Sequence, residues 1–426
     1  MKLEVKKSTL KGTVAIPASK SHTIRAVCIA SLATGESLIH TPLTSNDSLS
    51  AVECYRALGA GIDTSDTTCW KVKGTGGTIR PPENIIDVGN SGTTLRIAIG
   101  SAALAEPGQN IRFTGDEQIQ TRPLGPLLEA LNKLGARCGS TNNDGKVPVE
   151  ISGQLKGGKT SIAATTSQYL SSLLLCAPSA AGDTEIDVTL LNEPGYVQMT
   201  LDWLDKQQII YENENFKRFK ITRGQRYKSF ETTIPSDFSS ATFFLCAAAL
   251  AADEVILKGL DFSDSQPDKA VVDYLKSMGA DINIEHNTII VKGSHLKGAE
   301  LDMNQTPDAL PAMAITAIFA DGPTKLYNVA QARSKETDRI KCMAEELKKL
   351  NIEAEELPDG LIIYPGKPKA TELDGRCDHR IVMALSIAGL VMDEPCLIDT
   401  AEAMRVTFPS YVDLMNTVNA RMRLID

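Results

Sequence analysis

Aromatic side chains make up only 5% of the 426 residues, too few to suggest the stacking platforms on which single-stranded nucleic acids lie. Positive charge is not in excess either. The 44 lysines and arginines face 53 aspartates and glutamates, a net charge of -9. That balance argues against a binder of phosphate backbones, although a local basic cleft could still collect a small anion. No apolar run is long enough to span a membrane, and Met1 to Lys11 is charged and strand-like, without the apolar core of a signal peptide.

The nine cysteines include no Cys-x-x-Cys pair, and the five histidines have no metal-ligand spacing. Cys28, Cys176 and Cys246 fall in apolar helical patterns and read as buried free thiols of a reducing compartment. These absences predict a cytoplasmic protein that needs no metal or cofactor and engages neither nucleic acid nor membrane.

What is present is a repeat. A helix ending in Leu-Gly-Ala or a relative recurs at Tyr55–Ala60, Leu131–Ala136, Tyr274–Ala280 and, more weakly, Leu201–Lys206 and Leu347–Asn351, with a sixth candidate at Tyr411–Arg421. The period is about 70 to 76 residues, that of one supersecondary unit. The first five are each followed by a strand-like end with a glycine, at Gly74, Gly153, Gly224, Gly293 and Gly366. A second helix, rich in small residues, starts near Ser21, Gly92, Ser167, Ser239, Ala309 and Arg380, each time after polar capping residues.

Two helices alternating with strands imply α/β units whose sheets cover buried helices, and a segment as apolar as Phe243 to Ala252 belongs inside. At this length two domains are expected, hence three units in each. The predicted first strand, Lys2 to Ile16, precedes the first capped helix, and the last unit lacks its closing strands. The N-terminal strand is therefore expected to complete the C-terminal domain, with paired crossings near 16–19 and 232–236 acting as a hinge. The predicted domains are 1–18 plus 236–426, and 19–235.

The helix starts carry the polar residues that suggest chemistry. In Asp87-Val-Gly-Asn-Ser-Gly-Thr-Thr-Leu-Arg96 a short strand meets a helix at small capping residues. Such a start offers unpaired N–H groups and the positive end of the helix dipole to an anion. Ser19-Lys-Ser21 with Arg25, Thr121-Arg-Pro123, Thr166-Ser-Gln168, Asp308, Lys335-Glu-Thr-Asp-Arg339 and Asp378-His-Arg380 occupy comparable places. Singly, each is an ordinary cap or solvated helix start. Converging, they would form a cleft suited to phosphate and carboxylate groups, which arginine binds with its two-pronged guanidinium.

These motifs, in this order over almost the whole chain, resemble the EPSP synthase family of enolpyruvyl transferases. The resemblance implies an α/β fold of two inside-out α/β barrel domains, each of three βαβαββ units, with the active site in the inter-domain cleft of a monomer. It implies transfer of the enolpyruvyl group of phosphoenolpyruvate to the 5-hydroxyl of shikimate 3-phosphate, on the way to chorismate and aromatic amino acids. Carried over by motif, Lys20, Gly92, Arg122, Gln168, Arg339 and Arg380 hold phosphoenolpyruvate. Ser21, Arg25, Thr166, Ser167, Gln168, Asp308 and Lys335 hold shikimate 3-phosphate. The catalytic residues are Lys20, Asp308 and Glu336: Glu336 as proton donor at the methylene, Asp308 as base toward the hydroxyl, Lys20 beside the leaving phosphate.

Some positions depart from the family pattern. Val406 stands where a lysine is usual, with Arg405 adjacent; Glu193 stands near a substrate-binding serine position, Gln331 near an asparagine, and Ile97 where proline is common. Gly92 leaves room for glyphosate, whereas Ile97 and Val406 argue against sensitivity. The related enzymes acting on UDP-N-acetylglucosamine carry a reactive cysteine where this chain has Glu117, and no cysteine occurs between Cys69 and Cys138. A non-catalytic repeat scaffold is the other alternative, and it has no need of Lys20, Asp308 and Glu336 together.

Overall fold

The computed structural model describes residues 1–369 and 372–425. The chain divides into two compact units, one of residues 1–19 and 235–426, the other of residues 20–234. The segments that enter and leave the second unit run side by side: Ser19 N–H donates to the Pro235 carbonyl and Asp237 N–H to that of Pro17, both at 2.8 Å.

The described strands form six four-stranded sheets of one pattern, a parallel pair followed by two antiparallel neighbours. Three of the sheets are threaded strand, helix, strand, helix, strand, strand, as in Gly158–Ala164, a helix, Thr184–Leu191, a helix, Tyr211–Glu214 and Arg218–Ile221, and each of the other three takes one strand from a distant part of the chain. The helices of residues 20–234 are α1 (Lys20–Leu32), α2 (Asn46–Ala57), α3 (Gly92–Ala102), α4 (Gly125–Lys133), α5 (Ser167–Cys176) and α6 (Pro194–Lys206). Those of the other unit are α7 (Phe238–Ala251), α8 (Ala270–Ser277), α9 (Leu310–Ala317), α10 (Arg339–Lys349), α11 (His379–Val391) and α12 (Tyr411–Thr417).

The odd-numbered helices are the expected buried ones. In α7, residues 238–249 are all buried, and Ala, Ser, Phe and Leu give it no polar face. Asp237 starts it by accepting from the N–H and the hydroxyl of Ser240. Burial of each large apolar side chain contributes roughly 1.5–3 kcal/mol, so these helices sit in the core of their unit. Their partners, such as α10 with buried Ile340, Met343 and Leu347 and basic Lys348 and Lys349 in its last turn, keep one apolar stripe. Four of the buried helices take the side-chain caps that the sequence suggests, from Ser91, Thr166, Asp237 and Asp378. The start near Ala309 differs: α9 has no side-chain cap and follows a 3₁₀ turn, Pro307–Ala309.

One expectation needs correction. Lys2 to Ile16 is not one strand but two, Lys2–Lys6 and Leu10–Ala15, in different sheets of the same unit. Lys2–Lys6 pairs with Cys396–Ile398 and with Arg421–Ile425, supplying the strand the last unit lacks. Leu10–Ala15 runs parallel to Ala252–Lys258. The break shows in the burial phase: Leu3 and Val5 face the core at odd positions, Leu10 and Val14 at even ones. A continuous strand cannot change phase without a break or bulge.

Candidate functional site

The starts of α3 and α5 are tied to each other. Gln168, the second residue of α5, donates to the Thr93 hydroxyl (3.0 Å) and accepts from Arg96 Nη1 (2.6 Å), joining α5 to α3. The Arg96 guanidinium is buried and also lies 5.5 Å from the centre of the Tyr169 ring. Gly92 opens α3. A Cβ there would come within 2.6 Å of Arg122 Nη1 and 2.8 Å of Arg96 Nη1, so a side chain at this position would push both guanidinium ends off the helix start. Arg122, largely buried, donates to the Asn90 side chain at 3.3 Å. Lys20, at the start of α1, holds its ammonium 3.0 Å from Asp47 Oδ2, the carboxylate of the second residue of α2.

Arg25 lies one turn into α1 and is 1% exposed. Its partners are neutral: the Thr200 and Ser171 hydroxyls and the carbonyls of Ser21 and Tyr196. Burial without a counter-charge pushes its pKa down to about 10. Thr166 caps α5, and Ser167 follows it, buried, with both its N–H and its hydroxyl donating to the Glu193 carboxylate.

The unit of residues 1–19 and 235–426 holds the second cluster. Arg339, the first residue of α10, is fully buried and reaches three carboxylates. Its Nε lies 2.8 Å from Asp378 Oδ2, Nη1 2.7 Å from Asp308 Oδ1, and Nη2 2.5 Å from Glu336 Oε2. Arg380 Nη2 adds a 3.0 Å contact to the other Asp308 oxygen, and Lys335 Nζ stands 3.9 Å from Asp308 Oδ1. Three cations thus face three anions, the arrangement in which buried charge is tolerated.

Burial alone would raise the Asp308 pKa, but Arg380, Lys335 and Arg339 outweigh it and hold the carboxyl far below the usual range. Burial likewise opposes ionisation of Asp378, and Arg339 wins there too. His379 differs: burial dominates and pushes its pKa down to about 3, with Nε2 lacking a hydrogen-bond partner. A neutral imidazole at physiological pH leaves proton transfer in this cluster to the carboxyl groups.

Every expected site residue therefore lies at one of the two clusters. Lys20, Ser21, Arg25, Gly92, Arg122, Thr166, Ser167 and Gln168 are at the helix starts of residues 20–234. Asp308, Lys335, Glu336 and Arg380 gather around Arg339 in the other unit. Asp47 was not legible beforehand, because a helix-start acid after the Ser45 cap looks like ordinary capping. Arg405, beside Val406, is exposed and makes no ion pair among the described residues. Gln331 is turned onto the Asn304 carbonyl. All nine cysteines are free thiols. Among the described residues no helix is long and apolar enough to cross a membrane, and no group of three or more His, Cys, Asp and Glu is placed for a metal ion.

These helix starts and the three-carboxylate arginine belong to an α/β protein whose described strands form six four-stranded sheets. A profile of the EPSP synthase (3-phosphoshikimate 1-carboxyvinyltransferase) family matches residues 5–415. The chain is 54% identical to the 3-phosphoshikimate 1-carboxyvinyltransferase of Acetivibrio thermocellus, over 99% of both chains. It is 50% identical to that of Ruminiclostridium cellulolyticum over the full length of both. In structure it is similar to EPSP synthase from Acinetobacter baumannii, with TM-score 0.83 and 28% identity over the whole of both chains. The enolpyruvyl transferase NikO of Streptomyces tendae, 17% identical with TM-score 0.79, shares the fold. The chain belongs to the EPSP synthase family.

Proposed function

We propose that the protein transfers the enolpyruvyl group of phosphoenolpyruvate to the 5-hydroxyl of shikimate 3-phosphate, releasing inorganic phosphate, as a step toward chorismate and the aromatic amino acids. The observation that carries this reading is the set of contacts at Arg339, where one buried guanidinium holds Asp308, Glu336 and Asp378 with Arg380 and Lys335 beside them. A binding scaffold gains nothing from buried acids held among cations; acid–base chemistry on an anionic substrate does.

In this reading Lys20, Gly92, Arg122, Gln168, Arg339 and Arg380 bind phosphoenolpyruvate. Ser21, Arg25, Thr166, Ser167, Gln168, Asp308 and Lys335 bind shikimate 3-phosphate. Glu336 gives a proton to the methylene carbon while the 5-hydroxyl, losing its proton to Asp308, attacks the adjacent carbon. The resulting phosphoketal then loses phosphate, which Lys20 stabilises and which carries off the proton that Asp308 took, as Glu336 takes a proton back from the methyl group. The net result is one enol ether and one phosphate, with the acids restored. Asp308 among three cations is a weak base. Its basicity in the reaction comes from the substrates, whose phosphate and carboxylate draw Arg339, Arg380 and Lys335 toward themselves. The cations and helix ends stabilise the developing charge.

We further propose that each unit is an inside-out α/β barrel of three βαβαββ repeats, that both clusters serve one inter-domain site, and that the enzyme is a cytoplasmic monomer. The test is phosphate release on mixing the protein with phosphoenolpyruvate and shikimate 3-phosphate. Release is expected only with both substrates. Release with UDP-N-acetylglucosamine instead would transfer the assignment to the related enzyme class, and none with either would leave a binding protein.

A further inference from the structure

Glu193 follows the strand Thr184–Leu191 and immediately precedes α6, with Pro194 as that helix's first residue. It is 1% exposed and adopts a left-handed backbone conformation, φ 57° and ψ 50°, uncommon for a long side chain. This geometry turns the carboxylate away from α6 and onto the start of α5. One oxygen, Oε2, accepts both from Ser167 N–H (3.2 Å) and from the Ser167 hydroxyl (2.7 Å). Ser167 is itself 1% exposed. The donor pair that the functional reading gives to the phosphorylated substrate is thus filled by an acid of the protein.

A second observation points to an anion at the same helix start. Arg96, buried and joined to α5 through Gln168, has an Nε without a hydrogen-bond partner among the described residues. Burial lowers its pKa, and Glu193 acts on it only through space. Among the described residues Arg25, buried in the same unit, likewise bonds only neutral groups. Two buried cations held by neutral groups make a region prepared for negative charge from outside.

We infer that Glu193 is an internal anion that occupies the Ser167 donors in the free enzyme, is displaced by the phosphate of the phosphorylated substrate, and thereby sets the affinity for that substrate. The inference rests on the assignment of Ser167 to shikimate 3-phosphate. A phosphate and a carboxylate cannot share two donors, because each must bring its negative charge to the same few ångströms. Binding is therefore an exchange: the substrate gains the Ser167 bonds that Glu193 gives up, and its net affinity is lower than the contacts alone provide. The same exchange favours release of the phosphorylated product. Shikimate without its phosphate has no group with which to displace Glu193.

The test uses the full chain, with isothermal titration of shikimate 3-phosphate and of shikimate into wild type, Glu193→Gln and Glu193→Ser, together with phosphate-release kinetics and melting curves. Both variants are expected to bind shikimate 3-phosphate about tenfold more tightly, the size expected when a charge-assisted hydrogen bond no longer competes. Their KM should fall in parallel, with shikimate affinity unmoved. If either variant melts early, the other carries the comparison. Unchanged or weaker binding of shikimate 3-phosphate by folded variants of an active wild type would overturn the inference and leave Glu193 as a structural cap of α5. A wild type that neither binds nor turns over shikimate 3-phosphate would instead overturn the functional reading beneath it.

Discussion

Asp47 Oδ2 receives the Lys20 ammonium at 3.0 Å, while Asp47 Oδ1, buried at the start of α2, has no hydrogen-bond partner. One oxygen fixes the lysine, and the other is an acceptor left unused in the free protein. Asp47→Asn keeps the shape and removes the charge, so Lys20 loses its fixed direction. Misplacement of a reacting group by about 1 Å can cost about a hundredfold, and kcat/KM for phosphoenolpyruvate should fall by roughly that factor. Steady-state phosphate release compared with the melting temperature checks this; a normal kcat/KM would show that Lys20 does not depend on Asp47.

Arg339→Lys is expected to damage both fold and chemistry. A lysine cannot span Asp378, Asp308 and Glu336 at once. Breaking a buried charge network by removing a partner costs about 3–5 kcal/mol, to be seen in denaturant midpoints. Loss of one preorganised donor should lower kcat by about 10²–10³.

Gly92→Ala should raise the KM for phosphoenolpyruvate tenfold or more, because the new Cβ meets Arg122 Nη1 and Arg96 Nη1 at 2.6 and 2.8 Å. If glyphosate inhibits wild type by occupying the same space, the variant should be less sensitive in the same assay. Equal inhibition of both proteins would remove Gly92 from the inhibitor's site.

Stability near neutral pH should bear the mark of His379. Its pKa falls from 6.5 to about 3 on folding, chiefly through burial. Between these values the unfolded chain binds a proton that the folded one does not, so this contribution is complete above pH 6.5 and shrinks as pH falls toward 3. The slope is about 1.4 kcal/mol per unit at most. Asp308 and Asp378, depressed by their cations, add a further loss only below the ordinary carboxyl pKa of about 4. Urea unfolding at pH 7.5, 6 and 5 should show wild type losing more stability than His379→Asn over that window. Parallel curves would mean the histidine is not the cause.

The sequence made the fold legible where local rules act alone. Ser91, Thr166, Asp237 and Asp378 announce helix starts because a cap is a contact within three residues. The split of Lys2–Ile16 was written in the change of phase between Val5 and Leu10, yet both halves are strand-like, and only the pairing partners distinguish them. At the site, the cations were legible by motif. So were the acids Asp308, Glu336 and Asp378, but the pairings of Lys20 with Asp47 across 27 positions and of Ser167 with Glu193 across 26 were not. The protonation of Asp308 likewise depends on Arg339 and Arg380, brought to it by different elements.

The pairing of Lys2 with Ile425 at the edge of one sheet also constrains how the molecule is made. Residues 20–234 are contiguous and can fold as soon as they leave the ribosome, whereas the other unit must wait for its last strand, with its first strand held in reserve throughout synthesis. Lys2 and Ile425 finish as neighbours. A circular permutant that joins them through a short linker and opens in the exposed turn near Asn143 should reach the same native topology, with its assembly order reversed.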